Sequence, residues 1–301
     1  MNRKTDIERL RRIASLIDDT YSDGVGINPV EGENLPRRTE VIEVTEKLLE
    51  LVFPGFDRHA GTPNTVALLA EIRSELAGQI CRAIRHENAG NECDDICSSG
   101  RCEQAVFALL ESLPEIRNIA KEDVAAAYAG DPAAANYDEI ILSYPGIKAI
   151  IIQRLAHILY VQKVPLIPRM MTEYAHMLTG IDIHPGAVMG RGIFIDHGTG
   201  VVIGETAVLG DNVRIYQGVT LGAGNFPKDA CGMLIKGLKR HPTIGSNVTI
   251  YSGASVLGDI TIGDNSVIGG NVWLTESMPA GTKITARPPE NMFKFARDRK
   301  L

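Results

Sequence analysis

No run of apolar residues in this 301-residue chain approaches the roughly eighteen needed to span a bilayer. The N-terminal stretch MNRKTDIERLRRIASLIDD is also too charged to hold the apolar core of a signal peptide, so a cytoplasmic protein without membrane contacts is expected. Basic excess is missing as well: 31 Lys and Arg stand against 37 Asp and Glu, a formal charge of −6. No diffuse positive field exists to attract nucleic acid or an anionic membrane, and any anionic ligand must be met by a local cluster. Cysteine is scarce and odd in number, five in all, at 81, 93, 97, 102 and 231. That excludes the paired framework of a small secreted domain and predicts reduced thiols. The spacing of Cys93, Cys97 and Cys102 lacks the close C-x2-C pair of a zinc knuckle, with only His86 nearby as a fourth ligand, so no metal is expected.

What is present divides into two halves of different period. Residues 1–180 read as an all-α helical domain. Ile7, Leu10, Ile13 and Ile17 form one apolar stripe, and the same spacing recurs in TEVIEVTEKLLELVF, which Pro54-Gly55 stops. Two further helices, NTVALLAEIRSELAGQICRAIRHE and CEQAVFALLESLPEIRNIAKEDVAAAYAG, flank a polar segment, NAGNECDDICSSG, read as a loop. YPGIKAIIIQRLAHILYVQ is apolar on most of its circumference and should be buried on more than one side.

From Ile183 the period becomes six: Ile183, Met189, Ile195, then after a two-residue slip Ile203, Leu209, Ile215 and Leu221, resuming as Ile244, Ile250, Val256, Ile262 and Ile268. The fifth place of each hexad is small or β-branched, from Ala187, Ile193 and Thr199 to Ser266 and Val272. Two such columns predict a solenoid whose every sixth residue stacks inward on its like in the next coil, a hexapeptide-repeat β-helix over 181–275. The stretch 222–243, with four glycines, two prolines and four basic residues, breaks the period and should leave the prism as a long functional loop; 276–301 is a tail.

In the hexad IDHGTG, Ile195 and Thr199 take the inward places, which puts Asp196 and His197 on an outer wall. An outward histidine is either an ordinary surface residue or a base. Asp182, close to one coil earlier, has the logic of an orienting carboxylate for such a base. Arg240 and His241 at the end of the loop offer cationic donors to a carboxylate, or simply a solvated basic stretch, while Asp131 and Asp196 suit an ammonium group. Both signs together suit a zwitterionic amino acid.

Several segments resemble those of the serine O-acetyltransferase family: GDPAA at 130–134, DIHPGAVMGRGIFIDHGTGVVIGETAVLGDNV at 182–213, GVTLGAG at 218–224 and KRHPTIGSNV at 239–248. The resemblance covers about residues 125–275 and implies an α+β chain, an N-terminal helical domain followed by a left-handed parallel β-helix. It implies acetyl transfer from acetyl-CoA to the L-serine hydroxyl, the first step of cysteine biosynthesis, without an acyl-enzyme. On its terms His197 is the general base and Asp182 its partner. Asp131 and Asp196 hold the ammonium, Arg240 and His241 hold the carboxylate, and Gly222, Ala223, Ser252 and Gly270 line the path of the pantetheine arm. Backbone N–H groups of LGAG, 221–224, are candidates for the oxyanion.

The resemblance further implies homotrimers, often paired into hexamers, feedback inhibition by L-cysteine, and docking to O-acetylserine sulfhydrylase through the C-terminus. Four departures stand out: an N-terminal region longer than in the best-known members, whose first 120 residues find no counterpart, a longer loop NFPKDACGMLIKGLKRHP, a tail ITARPPENMFKFARDRKL where a GxPA segment is common, and a terminal Leu301 where docking members carry isoleucine. Rival readings are a hexapeptide acetyltransferase acting on a sugar hydroxyl or amine, a trimeric zinc enzyme using His184, His197 and His241, and a catalytically silent scaffold.

Overall fold

The structure, a computed structural model, describes residues 3–21, 35–56, 64–88 and 95–287. It divides into two units, Met1–Leu35 and Pro36–Leu301. The first contains helix α1 (Arg3–Thr20), whose stripe of Ile7, Leu10, Ile13 and Ile17 is exposed.

Among the described residues of the second unit six helices precede the strands: α2 (Arg38–Val52), α3 (Thr65–Glu87), α4 (Asp95–Gly130), α5 (Tyr137–Ser143), α6 (Pro145–Val161) and α7 (Ile167–Thr179). Local chemistry sets several of their ends. The Asn64 side chain accepts from Ala67 N at 3.2 Å and that of Asn136 from Glu139 N at 2.8 Å, each satisfying a donor the helix start leaves unpaired. Pro145 opens α6, where its missing N–H costs nothing, and Gly180 at φ 70° closes α7. The segment expected as a loop between α3 and α4 is helical from Asp95 onward, so α4 starts earlier than its apolar spacing suggests.

The thiols require a correction. Cys81 on α3 and Cys102 on α4 form a disulfide, with Cα atoms 5.6 Å apart, where reduced cysteines were expected. The close packing of the two helices brings together residues 21 apart in sequence. Cys102 is therefore not available to a metal knuckle; Cys93 lies outside the described residues, and Cys231 is a free, exposed thiol.

Among the described residues fourteen short strands follow, stacked in three parallel sheets. The first holds β1 (Asp182–Ile183), β4 (Val202–Ile203), β7 (Thr220–Gly222), β10 (Ser255–Leu257) and β13 (Trp273–Leu274). The second holds β2 (Val188–Met189), β5 (Val208–Leu209), β8 (Thr243–Ile244) and β11 (Thr261–Ile262). The third holds β3 (Phe194–Ile195), β6 (Arg214–Ile215), β9 (Thr249–Ile250), β12 (Val267–Ile268) and β14 (Lys283–Ile284). The chain visits the sheets in turn, so like stacks on like: Ile203 pairs with Leu221, Leu209 with Ile244, Ile215 with Ile250. The long loop leaves between β7 and β8 without disturbing the register on either side.

Both columns of the six-residue period form the β-helix core, with one exception. Thr199 is exposed, and Val201, fully buried, takes the inward place assigned to it. The two-residue slip in the sequence is an enlarged corner between β3 and β4, which moves the inward place two residues on.

Helix α6 joins the two cores. Ala149 and Ile150 pack into the β-helix, while Ile151, Ile152 and Leu155 belong to the helical core. The helix lies so close to β3 that a Cβ on Gly146 would collide with the carbonyl oxygen of Ile195. A buried ion pair completes the joint. Arg154 donates from Nε to Asp123 Oδ2 at 2.9 Å and from Nη2 to Oδ1 at 3.0 Å, and to the carbonyls of Met189 at 3.2 Å and Gly190 at 2.7 Å. Asp123 Oδ1 also accepts from Ile193 N at 2.9 Å, so one pair ties α4 and α6 to the first coil. Among the described residues no helix is long and apolar enough to cross a membrane.

Asp123→Ala leaves the Arg154 guanidinium buried without its partner and is expected to cost about 3–5 kcal/mol in chemical denaturation, whereas replacing both residues together by leucine and methionine should cost distinctly less.

Candidate active site

The enlarged corner carries His197. Asp196, His197, Gly198, Thr199 and Gly200 lead from β3 to β4, with φ of 56° at His197, 77° at Gly198 and 79° at Gly200. The left-handed conformation comes freely to glycine but costs a histidine about 1–2 kcal/mol. It turns the imidazole out of the prism, leaving its side chain 72% exposed, with Nδ1 3.7 Å from Asp196 Oδ1.

The turn that ends α4 reaches the same corner. Asp131 Oδ1 accepts from Ala133 N at 2.8 Å and Oδ2 from the Tyr144 hydroxyl at 2.5 Å. These two bonds, with His197 nearby, hold the Asp131 carboxyl below the usual range. The same bond to Asp131, with partial burial and the charges of Asp131, Glu139 and Asp196, pushes the Tyr144 hydroxyl up to about 12. It remains protonated, and a donor, across the physiological range. Below the corner, Tyr216 and Tyr251 stack with ring centroids 5.2 Å apart. Ser252 and Gly270 follow in the same corner column, and a Cβ on Gly270 would lie 3.2 Å from Ser252 O.

A second cluster occupies the corner between the first and second sheets. His184 follows β1, Glu205 and Thr206 follow β4, and Arg240 and His241 precede β8. Arg240 Nη2 pairs with Glu205 Oε2, and the Tyr160 hydroxyl donates to Glu205 Oε1 at 2.8 Å. Burial opposes ionisation of Glu205, but the bonds from Arg240 and Tyr160 outweigh it and hold its carboxyl below the usual range. His241 is 7% exposed and accepts at Nδ1 from Thr206 N at 3.1 Å, which places its proton on Nε2. Burial first, then the charge of Arg240, brings it down to about 4. His241 is thus a neutral donor, a correction to its reading as a cation. Gly204 makes the pocket for it, since a Cβ there would collide with the imidazole ring.

The loop after Gly222 and Ala223 runs beside this second corner and borders an open cleft of about 820 Å³, lined among others by Glu205, Phe226, Leu238, Arg240, Leu257 and Ile260. Asp182, at the start of β1, accepts from Arg169 Nη1 at 3.2 Å. Among the described residues the carboxylate paired with His197 is Asp196, with Asp131 also near it. Asp182 also belongs, with Glu173 and His176, to the one trio among the described residues close enough to share a metal, but the guanidinium of Arg169 already pairs with both Glu173 and Asp182.

The residues expected at the site thus fall into two groups on different corners: Asp131, Asp196, His197, Ser252 and Gly270 at one, Arg240, His241, Gly222 and Ala223 at the other. The three histidines imagined around zinc are divided in the same way, His184 and His241 from His197. Sequence reasoning missed Tyr144, Tyr160, Glu205 and Thr206, whose roles arise from contacts between distant segments.

Residues 241–276 match the bacterial transferase hexapeptide (six repeats) family. A plasmid-borne serine acetyltransferase of Synechococcus elongatus is 48% identical over 269 residues, covering 83% of this chain and 82% of that protein. The chain belongs to the serine acetyltransferase family. Among solved structures, serine acetyltransferase 1 of Entamoeba histolytica in complex with L-cysteine superposes with a TM-score of 0.71 at 40% identity, over 81% of this chain and 86% of that one. Soybean serine acetyltransferase complexed with serine gives 0.55 at 30% identity, over 83% and 97%. As in this family, the coils form a left-handed parallel β-helix.

The depressed titration of His241 makes stability depend on pH. The unfolded imidazole takes up a proton near 6.5 and the folded one only near 4. Between those values the unfolded state binds more protons, so stability falls as pH drops from 6.5 towards 4. Thermal melting over that window should be less steep in pH for His241→Gln than for the parent, and Gly204→Ala, which evicts the ring, should lower the melting temperature at pH 8.

Proposed function

We infer that the protein is a serine O-acetyltransferase, moving the acetyl group of acetyl-CoA to the hydroxyl of L-serine. Membership of the family supports the activity and the acetyl-CoA co-substrate, and a relative's complex with L-cysteine supports cysteine as a ligand. The observation that carries the residue-level reading is the exposed imidazole of His197 flanked by Asp131 and Asp196, opposite in charge to the substrate ammonium.

His197 Nε2 takes the proton from the serine Oγ as Oγ attacks the thioester carbonyl; the C–S bond then breaks, and the proton passes to the departing CoA sulfur. Asp131 and Asp196 hold the ammonium group. Arg240 and the Nε2–H of His241 bind the carboxylate, with Glu205 and Tyr160 keeping the guanidinium in place. Direct transfer needs no acyl-enzyme, because holding both substrates in one cleft supplies much of the rate.

One chain alone presents these groups on two corners of a prism, and a base with a side chain 72% exposed has no wall to exclude water. A neighbouring copy brings the missing half: the His197 corner of one chain faces the Arg240 corner of the next, and closing that arrangement makes a homotrimer. Pantetheine then lies between Gly222 and Ala223 of one copy and Ser252 and Gly270 of the other, and Asp182, on the outer face of the first sheet, orients the imidazole across the boundary. Residues 1–180 serve assembly and supply Asp131, while 181–275 carry the chemistry. Pairing of trimers, inhibition by L-cysteine and docking of the C-terminal tail to the sulfhydrylase are extensions of this reading.

Release of free CoA thiol from acetyl-CoA is expected with L-serine, and not with L-homoserine, a galactoside or no acceptor. His197→Ala should lower turnover by about 10²–10⁴ with the assembly intact. Release with the galactoside alone would sink the amino-acid assignment. Arg240→Ala should raise the serine KM far more than that for acetyl-CoA, and mixing His197→Ala with Arg240→Ala chains and reassembling them should restore part of the activity at low serine; no recovery would count against a site shared between copies.

A further inference from the structure

We propose that Tyr144 is the residue that positions Asp131 for the substrate ammonium and so sets the preference for acceptors that carry one. The proposal rests on the reading of Asp131 as the ammonium partner.

Asp131 ends α4 in an exposed turn, where a carboxylate on a single-bonded stem would normally sample several rotamers. Here both oxygens are tied: Oδ1 to Ala133 N at 2.8 Å within its own turn, Oδ2 to the Tyr144 hydroxyl at 2.5 Å, thirteen residues away. A carboxylate offers about four acceptor positions, so two bonds leave about two for a ligand. Tyr144 is itself a rigid support. It caps α6 with extended backbone, φ −81° and ψ 116°, and Pro145 after it both favours that conformation and starts the helix. That helix packs against β3, the strand leading into His197, with Gly146 against Ile195. The chain Asp131, Tyr144, α6, β3 therefore links the ammonium-binding carboxylate to the imidazole corner through one hydrogen bond. Because its proton is held far above neutral pH, Tyr144 stays a donor to Asp131 and does not act as a base. It never competes with His197 for the serine proton.

The variants are Tyr144→Phe, Asp131→Asn and the double variant, assayed with acetyl-CoA and either L-serine or 3-hydroxypropanoate, which has the hydroxyl and carboxylate but no ammonium. Loss of a charge-assisted hydrogen bond should raise the serine KM of Tyr144→Phe about tenfold. The acetyl-CoA KM and kcat should move by less than about twofold, a split that general damage to the fold would not produce. The preference for serine over 3-hydroxypropanoate should fall by the same factor as the serine KM rises. In the Asp131→Asn background the Tyr144→Phe change should add nothing.

A large serine KM for Asp131→Asn with an unchanged one for Tyr144→Phe would overturn the role of Tyr144 while keeping that of Asp131. An unchanged serine KM for Asp131→Asn would instead remove the ammonium assignment itself. A Tyr144→Phe variant that loses equally on both acceptors, or that loses further in the Asp131→Asn background, would reduce Tyr144 to a structural residue.

Discussion

Every coil of the β-helix must close on the same place, because its inward aliphatic residue stacks on the one above and below it. Ile203 on Leu221 on Val256, and Leu209 on Ile244 on Ile262, remove apolar area from water in continuous columns, each side chain contributing about 1.5–3 kcal/mol. A coil that slipped by one residue would turn its aliphatics to solvent, so the repeat length is held at six wherever the prism is regular. Irregularity is thereby confined to the corners and to what they extrude. Both departures in this chain, the two extra residues before Val201 and the long loop before Thr243, lie beside the candidate site.

The helical part matters to chemistry through the same constraint. A prism alone presents Asp196 and His197 but no Asp131. The carboxylate comes from the end of α4, and α4 is held to the first coil by Asp123, Arg154 and the carbonyls of Met189 and Gly190. Removing two charges from water is expensive, and the pair earns its place only because the guanidinium and carboxylate are nearly all bonded. An apolar contact would bind the helices to the coil as firmly, but it has no direction. The fork of the arginine fixes how far along the coil the helix sits, which a reaction between groups on both elements requires.

The six-residue period was legible because it repeats, and repetition is visible in sequence without knowledge of any contact. The outward place of His197 followed from it correctly, although Thr199 was given the inward place that belongs to Val201. Period counting cannot tell where within an enlarged corner the two extra residues go, since Thr199 and Val201 are both β-branched. The charge of His241 was not legible either: whether an imidazole is cationic depends on burial against Gly204 and on the Thr206 N–H, neither of which has a sequence signature. The bond between Tyr144 and Asp131 and the disulfide of Cys81 with Cys102 belong to the same class, contacts made by packing between segments. Asp131 enters the candidate site only through its resemblance-bearing GDPAA turn and the charge logic of the ligand.

Dividing the site between two corners has a chemical consequence. Within one chain the anionic groups, Asp131 and Asp196, and the cationic group, Arg240, are kept apart by the width of the first sheet. If they shared a corner they would neutralise each other, and a zwitterion would have to displace an existing ion pair in order to bind. Kept apart, each corner needs its own internal partner, and both have one: Tyr144 donates to Asp131, and Glu205 accepts from Arg240. Both partners spare an isolated chain the cost of bare charge, and both leave acceptor or donor positions unused. On the proposed reading those unused positions face a ligand only when two copies meet, so that assembly, and not the folding of the single chain, would create the pocket for an amino acid.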